Sequence, residues 1–131
     1  MNWIDAKKCS AADAAAMIND GDVLGVSGFT LAGYPKEVPS ALAARAEKLH
    51  AEGKPFKVML FSGASTGDSC DGALARAGAV SLRMPYQSNA SLRKSINSGE
   101  IKYIDAHLGK MGYLVRTGAL PAPTVAIRWP P

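Results

Sequence analysis

The chain has 131 residues, 47% of them hydrophobic and 20% charged, with a net charge of +4. That size suits one domain able to bury about two-thirds of its unfolded surface, and no stretch reaches the run of about 20 apolar residues a membrane helix needs. The 15 Lys and Arg residues are scattered, a solvated surface rather than the clustered basic stripe of a nucleic-acid binder.

The N-terminal segment "MNWIDAKKCSAADAAAMIND" has early acidic residues and no long apolar core. It is not read as a secretion signal, and the cytoplasm is the expected compartment. Cys9 and Cys70 lie far apart without ligand-type spacing, which suggests reduced thiols and supports neither a disulfide framework nor a zinc site. Ser10 followed by Asp13 makes a capping-box-like start for a helix over about residues 11–19. "NDGD" ends it and leads into "VLGVSG", a short buried strand, which runs into the glycine-punctuated loop "GVSGFTLAGYPKEVP".

"PSALAARAEKLHAEG" then reads as a helix, with Pro39 in its first turn and Gly53 just past its end. "FKVMLFSG" is a second strand, its continuous apolar run typical of a parallel sheet covered on both faces. A second loop, "FSGASTGDSCDG", follows. Asp71 is expected to cap the short helix "GALARAG", closed by Gly78. "AVSLRM" is a third strand stopped by Pro85, and "NASLRKSINSG" a helix with Asn89 in front and Gly99 behind. "KYIDAHL" reads as a weak fourth strand, "GKMGYLVRTG" as helical, and "PTVAI" as a fifth strand. Strands alternating with helices at this pace mean βα units and a parallel α/β sheet, with ligands beyond the carboxyl ends of the strands. Both glycine loops lie there.

Gly28 and Gly33 have the spacing of the glycines in G-x-x-x-x-G-K-[ST], but Tyr34 and Pro35 stand where the lysine and hydroxyl must be, so the phosphate mechanism is missing. Gly63-Ala64-Ser65-Thr66-Gly67 matches the G-x-S-x-G elbow of serine hydrolases. A working triad would need His107 as base, with Asp105 two residues before it. The simpler role of Ser65 is a loop hydroxyl bonding backbone or ligand. His50 reads as a surface or helix-terminal residue, and Glu37, Glu47, Glu52 and Glu100 as exposed charges. Trp3 and Trp129 suit packing or terminal positions.

"SGFTLAGYPKEVPSALA", "LFSGASTGDSCDGALARAGAVSLRMPYQSN" and "LRKSINSGEIKYIDAHLG", in this order, resemble the N-terminal part of the acetyl-CoA hydrolase/transferase family. This is a branch of the class I CoA-transferases, and the resemblance covers about Asp5 to Ile127. It implies an α/β fold of the CoA-transferase type, a parallel sheet with helices on both faces, and usually a dimer. The implied chemistry moves CoA between an acyl-CoA thioester and a small carboxylate through a glutamyl-CoA intermediate. Coenzyme A is then a substrate of the full-length enzyme, and no bound cofactor or metal is implied. The family's attacking glutamate belongs to a second half, and none of the four glutamates here matches it, so no catalytic residue is assigned in this chain.

Residues 1–131 are thus expected to form an N-terminal domain, truncated or frame-shifted near residue 128, where "RWPP" departs from the family pattern; the second, catalytic domain is absent. The resemblance places Ser65 and Ser88 near the carboxylate site, although both could equally satisfy turn backbone. Gly28, Gly33, Gly63 and Gly67 are turn glycines near the cleft. Arg83 and Arg93 could face an anionic acyl-CoA, with surface ion pairing the simpler expectation. Two alternatives stand beside this reading: a stand-alone serine hydrolase using Ser65 and His107, and a non-catalytic partner subunit pairing with a separate C-terminal half. The partners expected are acyl-CoA, a small carboxylate, and a second copy or that C-terminal half, without nucleic acid or membrane.

Overall fold

The computed structural model describes residues 2–129; Pro130 and Pro131 of the "RWPP" ending lie outside the described residues. The first helix, α1 (Ala11–Ala16), opens on the expected capping box: Asp13 N–H donates to Ser10 Oγ at 3.1 Å, and Ser10 N–H donates back to the Asp13 carboxylate. It ends three residues earlier than its sequence suggests, because the Asp22 carboxylate takes the Asn19 N–H at 2.7 Å and turns the chain into β1 (Val23–Val26). Next come α2 (Glu37–Ala51), β2 (Val58–Ser62), a π-helical turn over Asp68–Gly72, α3 (Ala73–Arg76) and β3 (Val80–Met84). The chain finishes with α4 (Ala90–Asn97), β4 (Lys102–Tyr103), α5 (Met111–Arg116) and β5 (Val125–Ile127). Gly53 and Gly99 close α2 and α4 in the left-handed region, at φ +74° and +80°.

All five strands are parallel, in the order β4-β3-β2-β1-β5. The chain steps outward from β1 to β4 and returns to the other side of β1 for β5, so the direction reverses beside β1. Crevices at such reversals, beyond the carboxyl ends of the strands, are where open α/β sheets bind ligands.

The two faces are covered unequally. Leu24, Val26, Val58, Leu60, Val80 and Ile127 point into one cluster with Ala15 of α1, Leu42, Ala43 and Ala46 of α2, Leu74 of α3 and Leu92 of α4. On the opposite face only Val23, Phe61 and Met84 are buried together, with Met59, Leu82, Met111 of α5 and Leu120 packed against them. An apolar groove of about 790 Å³ remains there between the sheet and α5, lined by Gly25, Phe61, Met111, Val115, Pro123 and Ala126.

β3 carries one irregularity with consequences for the site. Val58 pairs with Val80, but Met59 pairs with Leu82, so Ser81 is an extra residue opposite the β2 ladder. Its hydroxyl donates to the Val58 carbonyl at 3.1 Å. Past this bulge the alternation inverts: Leu82 and Met84 join the thinly covered face, and Arg83 turns to the helix-covered one. The fourth strand is also shorter than "KYIDAHL" suggests. Arg83 carbonyl accepts the Ile104 N–H at 3.2 Å, and beyond Met84 comes Pro85, which has no N–H to extend the ladder.

Candidate functional site

Three connections meet at the carboxyl ends of the strands: residues 27–36 after β1, 63–67 after β2 and 85–89 after β3. Ser65 and Ser88, 23 positions apart, are brought together there with their hydroxyl oxygens 2.8 Å from one another. Ser65 is buried at 2% exposure, whereas Ser88 is exposed. The Ser65 hydroxyl also lies 3.3 Å from the Thr66 carbonyl. In the turn with Ser88, Gln87 Oε1 is buried without a hydrogen-bond partner among the described residues.

Beneath this pair lies the one salt bridge among the described residues in which both side chains are fully buried. Arg83 and Asp71 meet as a fork, Nε to Oδ1 at 3.2 Å and an Nη to Oδ2 at 3.1 Å. The same Nη donates to Ser62 Oγ at 2.8 Å and to the Ala64 carbonyl at 3.1 Å, and the other Nη donates to the Met84 carbonyl. Asp71 in turn accepts the Thr66 N–H at 2.9 Å.

Two sequence expectations are corrected here. Asp71 does not cap the helix after β2: the π-helical turn carries the chain straight into α3, whose start has no side-chain cap, and the carboxylate points inward to Arg83. Arg83 is no surface cation, because the Ser81 bulge drives it inside. Arg93 is exposed on α4, but it makes no ion pair among the described residues, contrary to expectation. Asp68, at the start of the π-helical turn, binds Arg76 through two bonds of 2.8 and 3.0 Å and accepts Asn89 Nδ2 at 3.2 Å. These bonds, Arg76 first, hold its carboxyl below the usual range. Asn89 meanwhile caps α4 by accepting the Ser91 and Leu92 N–H groups, so the residue following Ser88 is anchored from both directions.

The four turn glycines serve two purposes. Gly28 (φ +124°) and Gly33 (φ +65°) use left-handed backbone. Gly63 and Gly67 do not, and closeness explains them instead. A Cβ on Gly63 would stand 3.1 Å from the Gly28 carbonyl, and one on Gly67 would overlap the Tyr34 ring. A Cβ on Gly28 would sit 2.6 Å from Tyr34 Cβ. The buried Tyr34 is thus wedged between the two glycine loops; its closeness accounts for Gly28 and the left-handed turn for Gly33, so the near-match to a phosphate loop needs no phosphate chemistry.

The tip of the first loop is a tight turn in which Phe29 and Ala32 exchange backbone hydrogen bonds of 2.9 and 3.1 Å, with Thr30 at φ 56°. It leaves Phe29 and Leu31 exposed, and Tyr86 and Trp129 are exposed on the connections after β3 and β5. Lys36 Nζ lies over the rings of both Tyr34 and Trp129, at 5.5 and 5.6 Å. Sequence analysis gives Lys36 no role. Its place one turn before Pro39, beside an aromatic-bearing loop, was the available signal.

Other candidates are not gathered here. His107 and Asp105 are exposed in the connection after β4, and no histidine hydrogen-bonds Ser65 among the described residues. Nor does Ser65 take left-handed backbone: Thr30 is the only described non-glycine residue at positive φ. Glu37, Glu47, Glu52 and Glu100 are all exposed. His50 is half-buried, with Nε2 3.0 Å from the Phe56 carbonyl. Cys9 is exposed, while burial pushes the Cys70 thiol up to about 12. Among the described residues, no group of three or more His, Cys, Asp or Glu side chains could hold a metal ion, and no helix is long and apolar enough to cross a membrane.

Residues 3–126 match the family model of the acetyl-CoA hydrolase/transferase N-terminal domain. Over 122 residues the chain is 46% identical to the succinyl-CoA:acetate CoA-transferase of Clostridium kluyveri, covering 92% of this chain and 22% of that protein. It is 41% identical over 111 residues to the propanoyl-CoA:succinate CoA transferase of Escherichia coli, covering 85% and 23%. An acetyl-CoA hydrolase of Saccharomyces cerevisiae is 39% identical over 92 residues, 70% of this chain and 17% of that one. The fold is similar to that of an acyl-CoA transferase apoenzyme from Escherichia coli O157:H7, with a TM-score of 0.69, 21% identity, and coverage of 88% and 23%. The chain therefore spans about a fifth of the length of the curated relatives it matches.

Proposed function

The chain belongs to the acetyl-CoA hydrolase/transferase family, matching its N-terminal domain, and on that premise we propose that it supplies the small-carboxylate cradle of an acyl-CoA hydrolase/CoA-transferase. The observation carrying this proposal is the Ser65–Ser88 pair at 2.8 Å, beyond the carboxyl ends of β2 and β3. A carboxylate accepts up to about four hydrogen bonds. When it enters, the hydroxyls exchange their mutual bond for bonds to its oxygens. Lys36, beside Trp129 on the same rim, adds positive potential for an anionic ligand.

The chemistry this cradle serves is covalent acyl transfer by a glutamate outside this sequence. The glutamate carboxylate attacks the thioester carbonyl, a mixed anhydride forms, and CoA leaves as thiolate. The thiolate then attacks the glutamyl carbonyl, which releases the acyl group as a free carboxylate and leaves a glutamyl-CoA thioester. An acceptor carboxylate then attacks the glutamyl thioester, expelling CoA thiolate and forming a second anhydride, and the thiolate takes the acceptor's acyl group as a new acyl-CoA and frees the glutamate. In a hydrolase, water cleaves the glutamyl thioester to glutamate and free CoA. Coenzyme A enters and leaves as substrate. The buried Ser65, bonded to Ser88 rather than to a histidine, favours this role over a serine nucleophile. The apolar groove on the thinly covered face supports pairing with the polypeptide that carries the glutamate, or with a second copy.

Titrating acetate and succinate into the 15N-labelled chain tests the cradle. The Ser65, Thr66 and Ser88 amide signals should move, and Ser65→Ala should weaken binding by about tenfold, the worth of one charge-assisted hydrogen bond. Silence at those amides overturns the cradle. The purified chain alone should exchange no CoA between acetyl-CoA and succinate; turnover free of host enzyme would contradict an external glutamate.

A further inference from the structure

We infer that Arg83 is a positioning residue: one buried guanidinium, balanced by Asp71, sets the separation of the turn carrying Ser65 and the turn carrying Ser88. The inference rests on the carboxylate reading above for its functional meaning, and on geometry alone for its structural one.

Ser65 contributes little to holding itself in place, since its hydroxyl reaches only Ser88 and its neighbour's carbonyl at 3.3 Å. Its two flanking residues are held instead. On one side Ala64 offers its carbonyl to Arg83, and on the other Thr66 gives its N–H to Asp71. Ser62, at the root of the same turn, receives a further guanidinium N–H while its hydroxyl donates to the Ala64 carbonyl. Arg83 itself sits on β3, and its other Nη donates to the carbonyl of Met84, the last residue of that strand, from which the chain passes through Pro85 into the second turn. One planar group with fixed donor directions therefore ties the first turn to the end of β3, from which the second turn leaves. A lysine, with a single ammonium, carries the charge but lacks that fork.

Stability is a weak explanation for such a pair. Replacing a buried ion pair with well-packed apolar side chains is often neutral or stabilising. What apolar side chains cannot do is hold two carbonyls, a hydroxyl and an N–H in register around the ends of β2 and β3. The Ser81 bulge fits this role, because without it the guanidinium would leave from the other face of the sheet.

The test uses the 131-residue chain as Arg83→Lys and as the paired replacement Asp71→Leu/Arg83→Met, each also in a Ser65→Ala background. Thermal unfolding reports whether each variant folds, amide spectra report the turns, and succinate titration reports affinity. In a folded variant the Ser65 and Ser88 amide signals should shift while those of Ala43 and Ala46 in α2 stay put. Succinate binding should weaken at least tenfold, and in the Ser65→Ala background the Arg83 change should bring a clearly smaller loss, since the part that passes through the Ser65 hydroxyl is already gone and only the Ser88 part remains. If Arg83→Lys does not fold, the paired replacement decides. Unmoved Ser65 and Ser88 signals, or an equal loss with and without Ser65, overturns the inference, as does collapse of both variants. Should the unaltered chain bind neither succinate nor acetate, the carboxylate reading fails, while the amide signals still decide whether Arg83 positions the turns.

Discussion

The two faces of the sheet are built from the same strands yet live in different surroundings. Leu24, Leu60 and Val80 point to one side and meet four helices; Val23, Met59 and Phe61 point to the other and meet little beyond Met111 and Leu120. Both sides are apolar, which is why the strands read as fully covered. The difference teaches that an apolar face states a requirement for burial without naming what fulfils it. One side is satisfied within this chain, and the groove lined by Gly25, Pro123 and Ala126 marks where the other remains open.

The sharpest way to test that contrast is to remove a charge from the helix-covered side. Asp71→Ala should cost about 3–5 kcal/mol in chemical denaturation, because it leaves the Arg83 guanidinium buried without its counter-charge. Cutting the core on the same side comes next: Leu60→Ala should cost about 2–5 kcal/mol, and Met59→Ala, its neighbour on the thin side, clearly less. Equal losses at Leu60 and Met59 would break the comparison.

Cys70 gives a pH-dependent version. Burial raises its thiol from an ordinary 9.0 to about 12, so the folded chain keeps a proton that the unfolded chain has already lost. Its contribution is intact below pH 9.0 and is lost as pH rises toward about 12, at a slope near 1.4 kcal/mol per pH unit. Comparing alkaline unfolding of the parent chain with that of Cys70→Ala isolates this slope; identical profiles would place the thiol in water. The smallest effect belongs to the open face. Ala126→Lys should alter stability by no more than about 0.5 kcal/mol, while sedimentation at high concentration should show less self-association than the parent chain. A large loss of stability there would mean that the groove is closed.

Local signals were the most legible part of the chain. Ser10 with Asp13, Asn89, Gly53 and Gly99 each do what their residue types do at helix ends, because caps depend on a few neighbouring atoms. Ser65 and Ser88 were singled out through resemblance, and the fold joins them. What lay beyond local reading depended on distant partners. Asp71 stands where a cap would stand, and only the presence of Arg83 twelve residues later explains why it turns inward. The depth of Arg83 follows from a register shift that strand periodicity does not announce. The glycine spacing suggestive of a phosphate loop has separate local causes: Gly28 leaves room for the backbone and Cβ of Tyr34, and Gly33 takes a left-handed turn.

Ser81 makes the third strand behave as a counter of odd and even. Most strands accept a residue more or less at their ends with little harm, but an odd residue inside this one decides which half of the domain receives a charge. Lay the same residues flat, with Ser81 taken into the ladder, and strand length hardly changes, but Arg83 falls opposite Phe61 and emerges as a bare cation beside it and Met59, away from the Asp71 carboxylate. The pairing shift between Val80 and Leu82 is therefore what assigns the charge to its half of the domain.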